Sequence, residues 1–202
     1  MTGGAGFIGS HVADAFVERG DEVLVVDDFS SGSRDNVPDR ANLAELDIAD
    51  SDRVREAFAG FEPEYICHLA AQASVTVSVK EPKRDFDSNV LGTFNILNSA
   101  TEHRARTVFA STGGALYGEG APIPTDESYV AQPLSPYGAS KQAAEAFVGA
   151  LARFHGIDHA VLRLGNVYGP RQSPHGEAGV VAIFSERLLH GRPVVAYGKG
   201  TP

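Results

Sequence analysis

Tyr137 and Lys141 stand four residues apart in the stretch SPYGASK. On a helix that spacing puts both side chains on one face. Ser135 suits the N-cap of such a helix and Pro136 its first turn. A phenol titrates near ~10 and is a poor base at neutral pH, but a neighbouring ammonium group favours the phenolate. The pair could then take a proton from a substrate hydroxyl as hydride leaves the same carbon. Gly138, Ala139 and Ser140 are small enough to let a cofactor approach the helix. Taken alone, the spacing is also that of an ordinary surface Tyr–Lys pair.

A second pattern gives the pair a context. The stretch TGGAGFIG contains Gly4-x-Gly6-x-x-Gly9 and also Gly3-x-x-Gly6-x-x-Gly9. The first glycines allow a tight turn, Gly6 lets backbone approach a pyrophosphate, and Gly9 lets a helix pack closely on a sheet. The helix N-terminus offers N–H groups and a positive dipole end to phosphate. The run VLVVDD follows and reaches Asp27, 18 residues past Gly9. An acidic side chain at that strand end accepts hydrogen bonds from adenosine ribose hydroxyls and repels a 2′-phosphate. Asp27 therefore favours NAD over NADP, and Asp28 adds to the repulsion.

The elements needed to position these groups alternate along the chain. Apolar periodicity from Phe7 to a stop at Gly20 reads as a helix. EVLVVDD reads as a buried strand, and ANLAELDI as a weaker one. SDRVREAFAG reads as a helix with Ser51 as N-cap and Gly60 as stop. YICHLA is a strand, DFDSNVLGTFNILNSATEH one long helix, and RTVFAST a strand. A helix from the Pro136 region to Gly156, the strand HAVLRLGN and the helix AGVVAIFSERLLHG complete the series. Gly118 to Pro136 holds four prolines and reads as an ordered surface loop. Strand and helix alternating in this way predict a doubly wound, mostly parallel α/β sheet with helices on both faces.

Composition excludes several classes. A net charge of −9 argues against nucleic acid or an anionic membrane as partner. No apolar run approaches the length of a membrane span. Cys67 is the only cysteine, which excludes an intrachain disulfide and fits a reducing cytoplasm. It lies in the apolar run YICHLA and reads as a core residue. His68 and His175 have no metal-ligand partners at useful spacing, so no metal is expected.

In order and spacing, TGGAGFIGSHV, VVDDFSSG, LDIAD, HLAAQASV, NVLGTFNIL, FASTGGALYGE, SPYGASK and GNVYGPRQ resemble the extended short-chain dehydrogenase/reductase family, among its NAD-dependent nucleotide-sugar epimerases. The resemblance runs essentially from end to end. It implies a Rossmann-like fold, a permanently held NAD and inversion at C4 of a UDP-hexose through a 4-keto sugar. It also implies a homodimer when full length. Phe7 and Ile8 would pass under the pyrophosphate. Asp27 with the following Asp28, Ser31 and Gly32 would hold the adenosine ribose. Asp47 and Ile48 would flank the adenine, while Leu69, Ala70 and Ala71 would line the cofactor channel with Asn89 nearby. Tyr137 would be the base, and Lys141 would also hold the nicotinamide ribose. Asn166 would open the substrate-binding stretch, with Arg171 as a phosphate partner.

The family's hydroxyl partner of the tyrosine falls on Thr112 when counted from Phe109. Counted back from Tyr117 it falls on Gly113, which has no hydroxyl. One extra residue in STGGALYG reconciles the two counts on Thr112, with Ser111 in reserve. The family has a strand before TGG and most of a substrate domain after YGKGTP. The expectation is therefore a sheet lacking its first strand, a cofactor domain over 1–165 and an incomplete substrate region over 166–202. A chain of this extent is expected to be inactive or nearly so. Related dehydratases carry an Asp-Glu pair after the threonine, where this sequence has Gly113 and Gly114. A dehydratase, a decarboxylase and a non-catalytic dinucleotide-binding protein are the alternatives.

Overall fold

The structure is a computed structural model and describes residues 1–175 and 179–195. It divides into two compact units, Met1–Gly165 and Asn166–Pro202. In the first, helix α1 (Phe7–Arg19) precedes strands β1 (Leu24–Asp27) and β2 (Asn42–Glu45), then α2 (Ser51–Phe61) and β3 (Tyr65–His68). After α3 (Val75–Lys80), α4 (Pro82–Phe86) runs through a π-helical segment, Asp87–Gly92, into α5 (Thr93–His103). Strand β4 (Arg106–Thr112), helix α6 (Pro136–His155) and strand β5 (His159–Leu164) follow. The second unit contains α7 (Val180–Leu189). The expected start of that helix at Ala178, and residues 196–202 of the expected substrate region, lie outside the described residues.

Every strand pairing is parallel. β1 pairs with β2, and β4 lies between β3 and β5. The two groups meet at the chain start. Thr2 makes a parallel bridge to Val26 of β1 and another to His68 of β3. On one side Val26 N donates to Met1 O (2.8 Å) and Gly3 N to Val26 O (2.8 Å). On the other, Thr2 N donates to Cys67 O (3.0 Å) and Leu69 N to Thr2 O (3.1 Å). The first strand of the sheet is thus reduced to isolated bridges at Thr2. A rudimentary central strand remains, because Met1–Gly3 pairs with Leu24 and Val26 of β1 and with Cys67 and Leu69 at the end of β3. The resulting order is β2, β1, the Thr2 segment, β3, β4, β5.

β1 is buried on both faces, as its apolar run predicts. Val25 packs with Ala13, Val17 and Val23 beside α1, whereas Val26 packs with Leu46, Ile48, Val54, Phe58, Ile66 and Ile96 beside α2 and α5. A third cluster joins Phe109 of β4 to Leu97, Ala144 and Val148 on α5 and α6.

Two helix boundaries differ from expectation. Asp50, not Ser51, caps α2, its side chain accepting from Arg53 N at 3.1 Å. The helix passes through Gly60 and ends at Phe61, capped by Glu62, which takes a left-handed conformation with φ of 53°. The long helix expected over DFDSNV…TEH is continuous but holds the π-helical segment. There Thr93 Oγ1 donates to Asn89 O at 2.7 Å, drawing that carbonyl into a side-chain bond. Helix α3 was not foreseen. Ser74 caps it, accepting from Val77 N.

Phe109 is fully buried at the junction of β4, α5 and α6. Phe109→Ala is expected to destabilise the chain by about 3–5 kcal/mol, read as a lowered midpoint in urea unfolding. A change within experimental error would refute this view of the core.

Candidate active site

The glycine turn lies at the C-terminal ends of β1, the Thr2 segment and β3, which is the usual crevice of an open parallel sheet. Gly3 has φ of 69°, and a Cβ there would lie 2.6 Å from the Ala70 nitrogen. A Cβ on Gly9 would lie 2.0 Å from the Gly3 oxygen. Neither site tolerates a side chain. Gly6 is different, with only the Gly3 oxygen near, at 3.3 Å. It caps α1 without a side-chain hydrogen bond, which leaves the first turn of the helix suited to an anion. Phe7 and Ile8 open that turn and are half-buried.

Asp27 is buried and fastens the turn. Its Oδ2 accepts from Ala5 N (2.9 Å) and its Oδ1 from Phe29 N (2.9 Å). Each oxygen keeps a further lone pair. Ala5 O is held in turn by Ser33 N (3.0 Å) and Asn36 Nδ2 (2.9 Å). Gly32 lies against this turn, where a Cβ would come within 2.9 Å of Ala5. Asn36 is a positioning residue that the sequence reading missed. Asp28 and Ser31 are exposed, and Asp28 Oδ1 accepts from the backbone and hydroxyl of Ser30. At the end of β2, Asp47 is exposed and accepts from Ala49 N, whereas the Ile48 side chain is in the core against Gly92. Only the backbone of Ile48 is therefore left to flank an adenine.

Leu69, Ala70 and Ala71 leave β3 half-buried beside Gly3. Under them runs a hydrogen-bonded chain with a definite sense. Ala70 N donates to Thr2 Oγ1 (3.2 Å), which lies 2.6 Å from His68 Nδ1. His68 Nε2 lies 2.9 Å from Thr93 Oγ1, which donates to Asn89 O. Because Thr93 spends its proton on that carbonyl, Nε2 must carry the imidazole proton and Nδ1 must accept from Thr2. Burial, reinforced by the nearby Lys141 charge, pushes His68 down to about 3, so it is neutral. Both of its ring nitrogens are thus engaged within the sheet interior.

Asn89 is buried and fully engaged. Its Oδ1 accepts from Gln72 N (2.8 Å), and its Nδ2 reaches Gln72 O (2.9 Å), Asp85 Oδ1 (3.0 Å) and Ser140 Oγ (3.2 Å). It thus joins the loop after β3 to helix α6. Asp85, which was not singled out from the sequence, also accepts from Gln72 Nε2 (2.8 Å).

Ser135 caps α6 by accepting from Gly138 N (3.1 Å), with Pro136 in the first turn, as the sequence predicts. Tyr137 is half-buried on that turn and Lys141 is buried one turn on. Lys141 Nζ donates to Ala110 O (2.9 Å) and lies 4.7 Å from the Phe109 ring centroid. Burial lowers its ammonium to about 8, against the raising effects of Asp85 and Glu145. The small residues between the pair also have packing roles. A Cβ on Gly138 would lie 2.3 Å from Ala115 O, so this glycine admits the preceding loop, and Ser140 is buried against Asn89. Of the three, Ala139 alone is exposed.

The two hydroxyls at the end of β4 are distinguished. Ser111 is buried and its hydroxyl donates to Glu145 Oε1. Thr112 Oγ1 accepts from Ala115 N (3.2 Å) and keeps a proton to give. Asn166 is exposed at the start of the second unit, and Arg171 has φ of 67° there.

The glycine turn, the acid at the next strand end and the Tyr–Lys pair on α6 are thus carried by one parallel α/β unit. The NAD dependent epimerase/dehydratase family matches residues 1–202, and the chain belongs to it. A UDP-glucose 4-epimerase of Mycolicibacterium smegmatis is 42% identical over 207 residues, covering 100% of this chain and 66% of that protein. The Thermotoga maritima UDP-glucose 4-epimerase, solved with UDP-glucose, superposes with a TM-score of 0.95 at 48% identity. That match covers 98% of this chain and 65% of the other. The Thermus thermophilus UDP-glucose 4-epimerase, solved with NAD, gives 0.91 at 48% identity, covering 100% and 65%. The chain thus spans about two thirds of the length of these relatives.

The folded state releases the Lys141 proton near pH 8, whereas an exposed lysine holds it to about 10.5. This group therefore makes folding more favourable as pH rises through that window. Following the Lys141 side-chain carbon signal by NMR should give a midpoint of about 8. In Asp85→Asn the midpoint should fall further, because a carboxylate that raises it is gone. An upward move would contradict the assigned electrostatics.

Proposed function

We propose that this chain forms the cofactor-bearing part of an NAD-dependent epimerase that inverts C4 of a UDP-hexose, interconverting UDP-glucose and UDP-galactose through a 4-keto sugar. The observation that carries the reading is the buried Lys141 one helical turn from Tyr137. The likeness to UDP-glucose 4-epimerases crystallised with UDP-glucose or NAD supports it.

The cradle fits the cofactor, because Gly3 and Gly9 leave no room for side chains and Gly6 caps the first turn of α1 with no side chain of its own. The first turn of α1, with Phe7 and Ile8, holds the pyrophosphate, and the remaining lone pairs of Asp27 take the adenosine ribose. Asp28, Ser31 and Gly32 border that ribose, Asp47 and Ile48 border the adenine, and Leu69, Ala70 and Ala71 line the channel. Asn89 acts on the channel by holding the Gln72 loop. NAD, when bound, supplies the acceptor and then the donor of hydride at C4.

Tyr137 removes the proton of the sugar 4-hydroxyl and later returns it. At neutral pH Lys141 keeps its charge and favours the phenolate, as well as holding the nicotinamide ribose. Thr112 donates to the same sugar oxygen, Ser111 being committed to Glu145. Gly113 and Gly114 supply no acid for dehydration. Asn166 and Arg171 belong to the part that grips the nucleotide sugar. A homodimer is proposed for the full-length protein, with exposed Phe94 and Phe147, ring centroids 5.8 Å apart on α5 and α6, as its apolar face. Cytoplasmic residence is proposed from the lone cysteine; no described helix is long and apolar enough to cross a membrane.

The test joins this chain to the C-terminal third of the Thermotoga relative and incubates the NAD-loaded product with UDP-glucose. UDP-galactose is expected, and a dehydrated 4-keto sugar would overturn the assignment. Tyr137→Phe should retain NAD and lose turnover by ~10²–10⁴-fold. Asp27→Ala, tested in the chain itself, should weaken NAD binding, measured by calorimetry. A preference for NADP in the parent would reject the cofactor reading.

A further inference from the structure

Thr112 and Tyr137 are joined by the proline-containing segment 113–135, so the conformation of that segment fixes where the two groups stand. Its two ends are tied together, Gln132 N donating to Leu116 O at 3.0 Å. It also lies on the first turn of α6, where Gly138 meets Ala115 and Pro133. One guanidinium controls it from outside the turn. Arg163, on β5, grips the Glu145 carboxylate of α6 through Nε (3.1 Å to Oε1) and Nη2 (2.8 Å to Oε2). Its Nη1 donates to Tyr117 Oη (2.9 Å) and to Glu127 O (3.0 Å), both within the segment. The guanidinium carbon lies 5.2 Å from the Tyr117 ring centroid. The pair is well shielded, with side chains 21% and 13% exposed. A forked, partly desolvated pair of this kind is both stronger and more directional than a surface ion pair. The Glu145 hydrogen bonds push the guanidinium further above its already high range.

We infer that Arg163 is a positioning residue for the Thr112–Tyr137 pair: with Glu145 it clamps segment 113–135 to α6 and withdraws Ser111, so that Thr112 is the hydroxyl presented beside Tyr137. The inference rests on the proposed roles of Thr112 and Tyr137. It assigns a single planar cation three tasks. It holds the segment through Tyr117 and Glu127, it fixes the Glu145 rotamer, and through Glu145 it engages Ser111. A lysine could supply the charge but not the fork.

The deciding measurement is amide hydrogen exchange of the NAD-loaded chain. Arg163→Met should speed exchange in peptides covering 113–120 and 124–134 at least tenfold, with α2 unchanged and NAD affinity within twofold. Arg163→Lys should behave like Arg163→Met. Tyr117→Phe keeps the ion pair intact and avoids an unpaired Glu145; it should loosen the same peptides to a smaller extent. Exchange that is unchanged, or raised equally in α2, overturns the clamp, as does full recovery in Arg163→Lys. In the completed enzyme described above, Tyr117→Phe should lower kcat severalfold while leaving the KM for UDP-glucose within twofold, and an unchanged kcat overturns the positioning role. If the parent completed enzyme forms no UDP-galactose, the functional reading fails and the exchange result alone decides the clamp.

Discussion

The backbone of Met1–Gly3 carries the sheet. Strands β1 and β3 face each other across a gap one strand wide, and their inward N–H and C=O groups are buried. Such groups are costly when unpaired, by about 1–3 kcal/mol each. Three residues pair with part of both edges, and the chain then turns at once into the glycine loop. The position of the glycine loop is thus a direct result of strand pairing. The loop begins where the ladder stops, and Gly3 lies against Ala70 because both follow adjacent strands.

The same economy governs the polar groups beneath the site. His68 is a buried imidazole at the sheet centre with both nitrogens paired, and its neutrality makes that burial tolerable. Lys141 is the opposite case. It is buried but remains charged at neutral pH, because the Ala110 carbonyl and the carboxylates of Asp85 and Glu145 offset part of the lost hydration. The fold removes charge at His68, whose nitrogens are paired with threonine hydroxyls, and retains it at Lys141, one helical turn from Tyr137. Both residues touch Phe109, whose ring separates the two environments without adding a polar atom.

What the sequence reveals about this arrangement depends on distance along the chain. The Ser135 cap, Pro136 and the Tyr–Lys spacing are local, and α6 follows them. The strand–helix alternation and the double burial of β1 are visible in composition and periodicity for the same reason. The exact pairing of Met1–Gly3 with β1 and β3 is not legible in sequence, because three residues are too short a run to show any period. Asn36, Asp85 and the Arg163–Glu145 pair were missed because their partners lie far away in sequence, and their residue types are ordinary for exposed positions. Asn89 was noticed, but its engagement with Gln72, Asp85 and Ser140 could come only from coordinates. Gly138 shows the converse case. Its small size is local, but the reason for it, the close approach of Ala115, is not.

The π-helical segment Asp87–Gly92 is where one continuous helical run changes phase. An α-helix advances about 100° per residue, so one residue accommodated in a wide turn rotates all that precedes it relative to all that follows. In this chain the following part, α5, is committed to the core through Ile96 and Ala100, and the preceding part presents Asp85 to Gln72. A uniform α-helix could satisfy only one of these commitments at a time. The wide turn therefore works as a phase adjuster, letting a helix whose far end is dictated by packing carry at its near end a face dictated by the site. Insertion or loss of a single residue here would leave the helix intact and turn that face away.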